Sequence, residues 1–161
     1  FTDIAKEVTL GTSPIFGNPY GLKTEDKVIL PDTPRHFYYA YKVSQILESI
    51  SEPTILEIGG GYGGMCAQLS KRYEGIKKCT ITNIDLLPGL LASFYFLKVQ
   101  GLPVNLVKNE NDFQKDVINL VPANNLEFLD SIKSQLDLVF NSRSLCEMAI
   151  ETNKEYLNFI N

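Results

Sequence analysis

The chain predicts an α/β protein: a Rossmann-like parallel sheet with flanking helices, preceded by an N-terminal arm and helix. Three observations carry this. Apolar runs of strand length recur near 54–58, 79–84 and 136–140. Between them lie segments whose apolar residues fall at helical spacing, the alternation that goes with crossover connections. The first run also leads straight into a turn built from Gly59, Gly60, Gly61, Gly63 and Gly64, as at the strand-turn-helix junctions that hold nucleotide-type ligands.

With 161 residues the chain can bury one core but not two. Its 44% hydrophobic and 21% charged residues exclude a disordered or fibrous class. Lys and Arg total 15 against 19 Asp and Glu, a net charge of -4, and no basic run could follow a phosphate backbone, so nucleic acid is not an expected partner. Cys66, Cys79 and Cys146 contain no CxxC pair, which argues against a disulfide framework or zinc site and for a cytoplasmic location. No apolar stretch reaches the ~18 residues of a membrane span. The chain starts at Phe1 and stops at Asn161 within a helical pattern, so it reads as a segment of a longer protein.

Residues 1–33, punctuated by Pro and Gly, read as an arm or lid, and 34–161 as the ligand-binding domain. Thr33 as cap and Pro34 at the first position open a helix over 34–50, with Phe37, Ala40, Val43, Leu47 and Ile50 inward. Strand 54–58 and the glycine turn follow, then a helix with Met65, Leu69 and Tyr73 on its inner face. The second strand, 79–84, ends at Asp85. Pro88 opens a helix whose Leu90, Leu91, Phe94 and Leu97 face inward, with Gly101 at its C-cap. Residues 104–107 and 117–121 compete as third strand. The later run fits better, because a loop and a short helix at 126–132 follow it, and 108–116 then reads as a surface excursion. The fourth strand is 136–140, and Ser144 with Glu147 matches a capping box opening a helix from Leu145.

The turn admits two ligand classes. Gly59, Gly61 and Gly64 satisfy the GxGxxG of dinucleotide sites, whereas Glu57, Gly59, Gly61 and Gly63 satisfy the ExGxGxG of S-adenosylmethionine sites. Glu57 separates them: a carboxylate two residues ahead of the glycines repels a diphosphate and attracts an ammonium group. Asp85 is suited to two ribose hydroxyls in either case. A turn of this kind can also serve only to pack a helix close on a strand.

Residues 56–64 resemble the first motif of class I methyltransferases, and more narrowly a bacterial family of sugar O-methyltransferases. Gly17-Asn18-Pro19-Tyr20-Gly21, Arg35-His36-Phe37-Tyr38-Tyr39-Ala40, Asp85-Leu86-Leu87-Pro88 and residues 141–148 are similar to further blocks of that family. The resemblance implies S-adenosylmethionine as cofactor and methyl transfer to a hydroxyl of a sugar or glycan. It also implies a seven-stranded sheet, of which this chain supplies about four strands. In the order 3-2-1-4 the fourth would be an unpaired edge, to be covered by the rest of a longer chain or by another copy.

On this reading Glu57, Gly59, Gly60, Gly61, Gly63, Asp85 and Leu86 hold the cofactor, Pro122, Ala123 and Asn124 edge the adenine, and Asn141 ends the fourth strand beside it. A sugar hydroxyl is a poor acid and needs a base. His36, the only histidine, and Glu147 are the candidates, although an ordinary helix-start residue and a capping residue account for them as well. Tyr38, Ser142 and Arg143 are candidate substrate contacts; Tyr38, Tyr39 and Tyr41 also read as core. No residue cluster has metal spacing. The rival functions are an NAD(P)-dependent oxidoreductase and a non-catalytic cofactor-binding partner domain.

Overall fold

The computed structural model describes residues 20–23 and 28–161. Most of the arm at 1–33, including Gly17, Asn18 and Pro19, lies outside the described residues. Its described part holds a short antiparallel pair, β1 (Leu22–Lys23) and β2 (Val28–Ile29). The chain continues through α1 (Thr33–Ile46), β3 (Thr54–Ile58), α2 (Gly64–Tyr73), β4 (Thr80–Asp85), α3 (Leu87–Lys98) and β5 (Val104–Leu106). Then come β6 (Ile118–Pro122), α4 (Leu126–Ile132), β7 (Leu138–Asn141) and α5 (Ile150–Ile160).

Strands β3 to β7 form one all-parallel sheet in the order β5-β6-β4-β3-β7. Parallel neighbours need crossovers, which α2, α3 and α4 supply. Both runs that competed for third strand are strands: β6 pairs with β4, and β5 lies outside β6 in a register that sets Val104 opposite Ile118. The expected four-strand order is therefore present and extended by one edge strand, with β7 at the other edge. The segment between β5 and β6 is mostly exposed and is tightened by a 3-10 turn at Glu110–Asp112, capped by Asn109.

Alternation along the strands divides the core in two. Ile55, Ile81 and Leu120 face Val43, Leu47, Met65, Leu69, Leu90 and Leu97 from the α1, α2 and α3 side. Leu56, Ile58, Ile84 and Val121 face Phe128, Leu129, Ile132, Tyr156 and Phe159 from α4 and α5. No helix among the described residues is long and apolar enough to cross a membrane.

Four local expectations are corrected. Helix α1 ends at Ile46, and Leu47 packs from the following turn; its N-cap is Asp32, because Thr33 is already helical and buried. Leu91 is 61% exposed, since α3 meets the sheet through Leu90, Ser93 and Leu97 and residue 91 sits about 100° further round. Leu87, Leu91 and Tyr95 share that outer face. The capping box at Ser144 and Glu147 does not form. Those residues make a 3-10 turn entered through Arg143 at φ 79°, the Ser144 hydroxyl is spent on the Ile58 carbonyl, and α5 starts only after Met148 and Ala149 have extended backbone.

On this packing, Leu69→Ala and Phe128→Ala, one for each face of the sheet, lower unfolding free energy by roughly 2–5 and 3–5 kcal/mol, while Leu91→Ala stays within about 0.5 kcal/mol. Urea denaturation of the three variants checks the assignment; an equal loss from Leu91→Ala would contradict the exposed face of α3.

Candidate functional site

Strand β3 leaves the sheet at Ile58, and the next five residues turn the chain into α2. Gly63 is the N-cap of α2 at φ 84°, a left-handed conformation open to glycine. Gly60 is constrained by space: a Cβ there would sit 2.6 Å from Asn83 Oδ1 and 2.9 Å from Glu57 Cδ.

The amides of this loop are directed at the chain itself. Gly59 N–H donates to Ile84 O at 2.8 Å, Gly60 N–H to Asn83 Oδ1 at 3.1 Å, Gly61 N–H to Asp85 Oδ2 at 2.6 Å and Gly63 N–H to Gly60 O at 3.0 Å. The other oxygen of Asp85 accepts from Leu86 N–H at 2.6 Å. Asn83 is wholly buried, and its amide nitrogen lies 3.4 Å from Ser93 Oγ on α3.

Glu57 is only 4% exposed and lies behind Gly60, where the Cys66 thiol of α2 donates to its Oε2 at 3.2 Å. Burial pushes its pKa up to about 7; the Cys66 bond and the Arg35 charge pull it down, and the Asp85 charge pushes it further up. The Cys66 thiol is held well above its ordinary range, first by burial and then by Glu57.

A second wall comes from the first turn of α1. The His36 ring abuts Gly64, where α2 begins, and its Nδ1 lies 3.4 Å from the Tyr62 hydroxyl. Arg35 Nη2 lies 3.5 Å from His36 Nε2 and 2.9 Å from Asp32 Oδ1. Arginine only donates, so Nε2 carries the ring's lone pair and Nδ1 its proton. Burial and then the Arg35 charge lower the His36 pKa to about 4, against the pull of Asp32, and the ring is neutral at neutral pH. Tyr62 stands edge-on against Phe96, with centroids 4.9 Å apart. Among the described residues, Arg35 Nε and Nη1 are buried without a hydrogen-bond partner, a costly state for a charged group.

The segment after β7 closes the third side. Asn141 Nδ2 and Ser144 Oγ both donate to Ile58 O at 2.9 Å and also contact each other, locking β7 to the end of β3. Among the described residues, Ser142 Oγ is buried without a partner and the exposed Glu147 carboxylate makes no hydrogen bond or ion pair; Arg143 is exposed.

Glu57, the glycines, Asp85, Leu86, Pro122, Ala123, Asn124 and Asn141 thus share the carboxyl ends of β3, β4, β6 and β7. Leu86 is 69% exposed there, and Ala123 N–H donates to Asp85 O. His36 joins them at the loop. Tyr39 and Tyr41 are drawn into packing against Phe140 and Arg72, while Tyr38 is 44% exposed beside Tyr39 and Lys42. A cavity of about 550 Å³ opens at the opposite end of the sheet, lined by Tyr73, Lys77, Gly101, Pro103 and Val117, and none of the expected site residues line it. Reading the sequence misses Asn83, Tyr62, Cys66 and Arg35. Asn83 had a signal, as a polar residue two before Asp85 and therefore on the same strand face; Arg35 and Tyr62 fall inside segments of the family resemblance, but no spacing or periodicity singles them out.

The buried carboxyl dictates a pH dependence. Glu57 titrates near 7 folded against an ordinary 4.5. Between those values the folded chain holds more protons, so this contribution is fully present below about 4.5 and is lost as pH rises through 7. Glu57→Gln therefore gains stability relative to wild type by roughly 3 kcal/mol as pH rises from about 4 to 8. The lowered His36 pKa acts in the opposite sense, present above 6.5 and lost as pH falls toward 4, and cancels in the difference. Urea denaturation across this range measures it; a difference that does not move with pH would refute the assignment.

The chain matches no protein-family model, no curated protein and no solved structure.

Proposed function

We propose that this chain is the S-adenosylmethionine-binding domain of a class I methyltransferase that methylates a sugar hydroxyl. The observation that carries the reading is the character of the glycine loop. Four of its amides are already bonded within the chain, two of them to Asn83 and Asp85, and the carboxyl groups of Glu57 and Asp85 flank it. A dinucleotide needs such amides for its diphosphate. A loop bounded by carboxylates instead favours a ligand with cationic groups.

The residues present fit that ligand. Each Asp85 oxygen accepts one backbone donor and keeps a lone pair for a ribose hydroxyl. Glu57 is the counter-ion for an ammonium, whose arrival would draw its pKa down from about 7. The bound donor supplies a methyl group on a sulfonium, ready for in-line displacement by an oxygen. The acceptor side then falls to Ser142, Arg143 and Glu147, and the Ser144 turn next to them presses on Gly59. Both nitrogens of His36 face partners, Arg35 and Tyr62, whereas the Glu147 carboxylate is unengaged among the described residues. Glu147 is therefore the base in this reading, and His36 braces the start of α2.

S-adenosylhomocysteine at about 100 times its dissociation constant should raise the melting temperature by roughly 5–10 °C, with no shift from NADH or NADPH. A shift from a nicotinamide dinucleotide alone would overturn the reading. In a methyl-release assay with sugar acceptors, Glu147→Gln should lower kcat by about 100-fold or more while leaving the thermal shift intact. Unchanged kcat would remove Glu147 as base, and cofactor binding with no turnover on any acceptor would favour a non-catalytic partner domain.

A further inference from the structure

We propose that the outer flank of α3 is a self-association surface, on which two copies of this chain meet across a two-fold axis beside Leu91.

Helix α3 carries no charged side chain from Leu87 to Leu97, and only Lys98 closes it. A helix apolar on all sides is ordinarily buried on all sides. This one is not: Leu90, Ser93 and Leu97 meet the sheet, while Leu87, Leu91 and Tyr95 are each more than half exposed and Val99, just past the helix end, is exposed as well. The direction of the stripe follows from its neighbours. Phe96 meets Tyr62 of the glycine loop that leads into α2. Position 91 lies about 140° from position 96 around the helix, so the stripe turns away from α2 and toward the β5 edge of the sheet. There Leu106 joins it. Val104 packs on the α3 side of the core, and Leu106, two residues on, lies on the same face and is exposed.

Charge favours a second copy as the occupant. Each chain carries a net charge of -4, and two such chains approach at least cost over a face without acidic groups. The apolar side chains exposed on α5, Ile150 and Leu157, stand among Glu151 and Glu155 and lack that property. A bilayer surface is a poorer match, since helices that lie on membranes are rich in basic residues and α3 has Lys98 alone. The stripe is also self-complementary. Leu91 stands midway between Leu87 and Tyr95, so antiparallel pairing with Leu91 at the axis sets Leu87 of one copy against Tyr95 of the other. The exposed side chains supply roughly 400–500 Å² on each copy. The pair then buries about 800–1,000 Å², the low end for a specific interface. The dimer is therefore reversible, with a dissociation constant of about 10–100 μM.

Sedimentation equilibrium of the chain, over concentrations spanning that constant, tests this. Leu91→Glu should raise the dissociation constant about 100-fold or more, because it sets two carboxylates against each other at the axis, and Leu91→Lys should do the same with two ammonium groups. An equimolar mixture of the two variants should regain dimers, since one carboxylate then faces one ammonium. Both substitutions fall at an exposed position and should leave the urea midpoint close to wild type. Leu157→Glu on α5 should leave association unchanged. A wild-type chain that stays monomeric throughout overturns the proposal, and cosedimentation of that monomer with phosphatidylglycerol vesicles would give the face to a membrane instead. A dimer insensitive to Leu91→Glu, or an equal loss from Leu157→Glu, overturns it as well. Mixed variants that remain monomeric would overturn the two-fold pairing beside Leu91.

Discussion

Asn83 and Asp85 reach from the end of β4 to the amides of Gly60 and Gly61, and the shape of the site depends on this bracing. A glycine-rich turn has little conformational preference of its own. Here β4 supplies two acceptors spaced by one strand repeat, and the ladder contributes a third through Ile84 O to Gly59. With the turn fixed, α2 can start at Gly64 and place Cys66 over Glu57. The opposite side is fixed by Asn141 and Ser144, which hold the Ile58 carbonyl where β3 leaves the sheet.

The electrostatics follow from burial. Desolvation drives Glu57 toward its neutral form and His36 toward its own. Near neutrality His36 is therefore neutral and Glu57 is in mid-titration, while Arg35 Nε and Nη1 find no hydrogen-bond partner among the described residues. Such a site responds strongly to the charge a ligand brings, because little water competes for the same contacts.

The strands and helices that carry hydrophobic periodicity were legible. Helix α4 matches its expected bounds, and the inward sets Met65, Leu69 and Tyr73, and Leu90 and Leu97, are buried. The glycine junction was legible because positive φ and close approach demand one residue type. What escaped depends on tertiary partners. Ser144 and Glu147 carry the local pattern of a cap, yet the Ile58 carbonyl, distant in sequence, competes for the serine and wins. The continuous apolar run in α3 hides which residues face the sheet, so Leu91 was misplaced. Arg35 and Tyr62 owe their positions to the docking of α1 on α2, which neither segment encodes alone.

The pairing of Glu57 with Asn83 and of Ile58 with Ile84 is a matter of strand register. Side chains alternate faces, so sliding β4 by a single residue would exchange its two faces. Asn83 would turn toward the aromatic side of the core, and the loop amides would lose their acceptors. Assembly of the candidate site is therefore coupled to correct alignment of the central strands, and a mispaired sheet would lose both its buried polar contacts and the shape of the glycine loop.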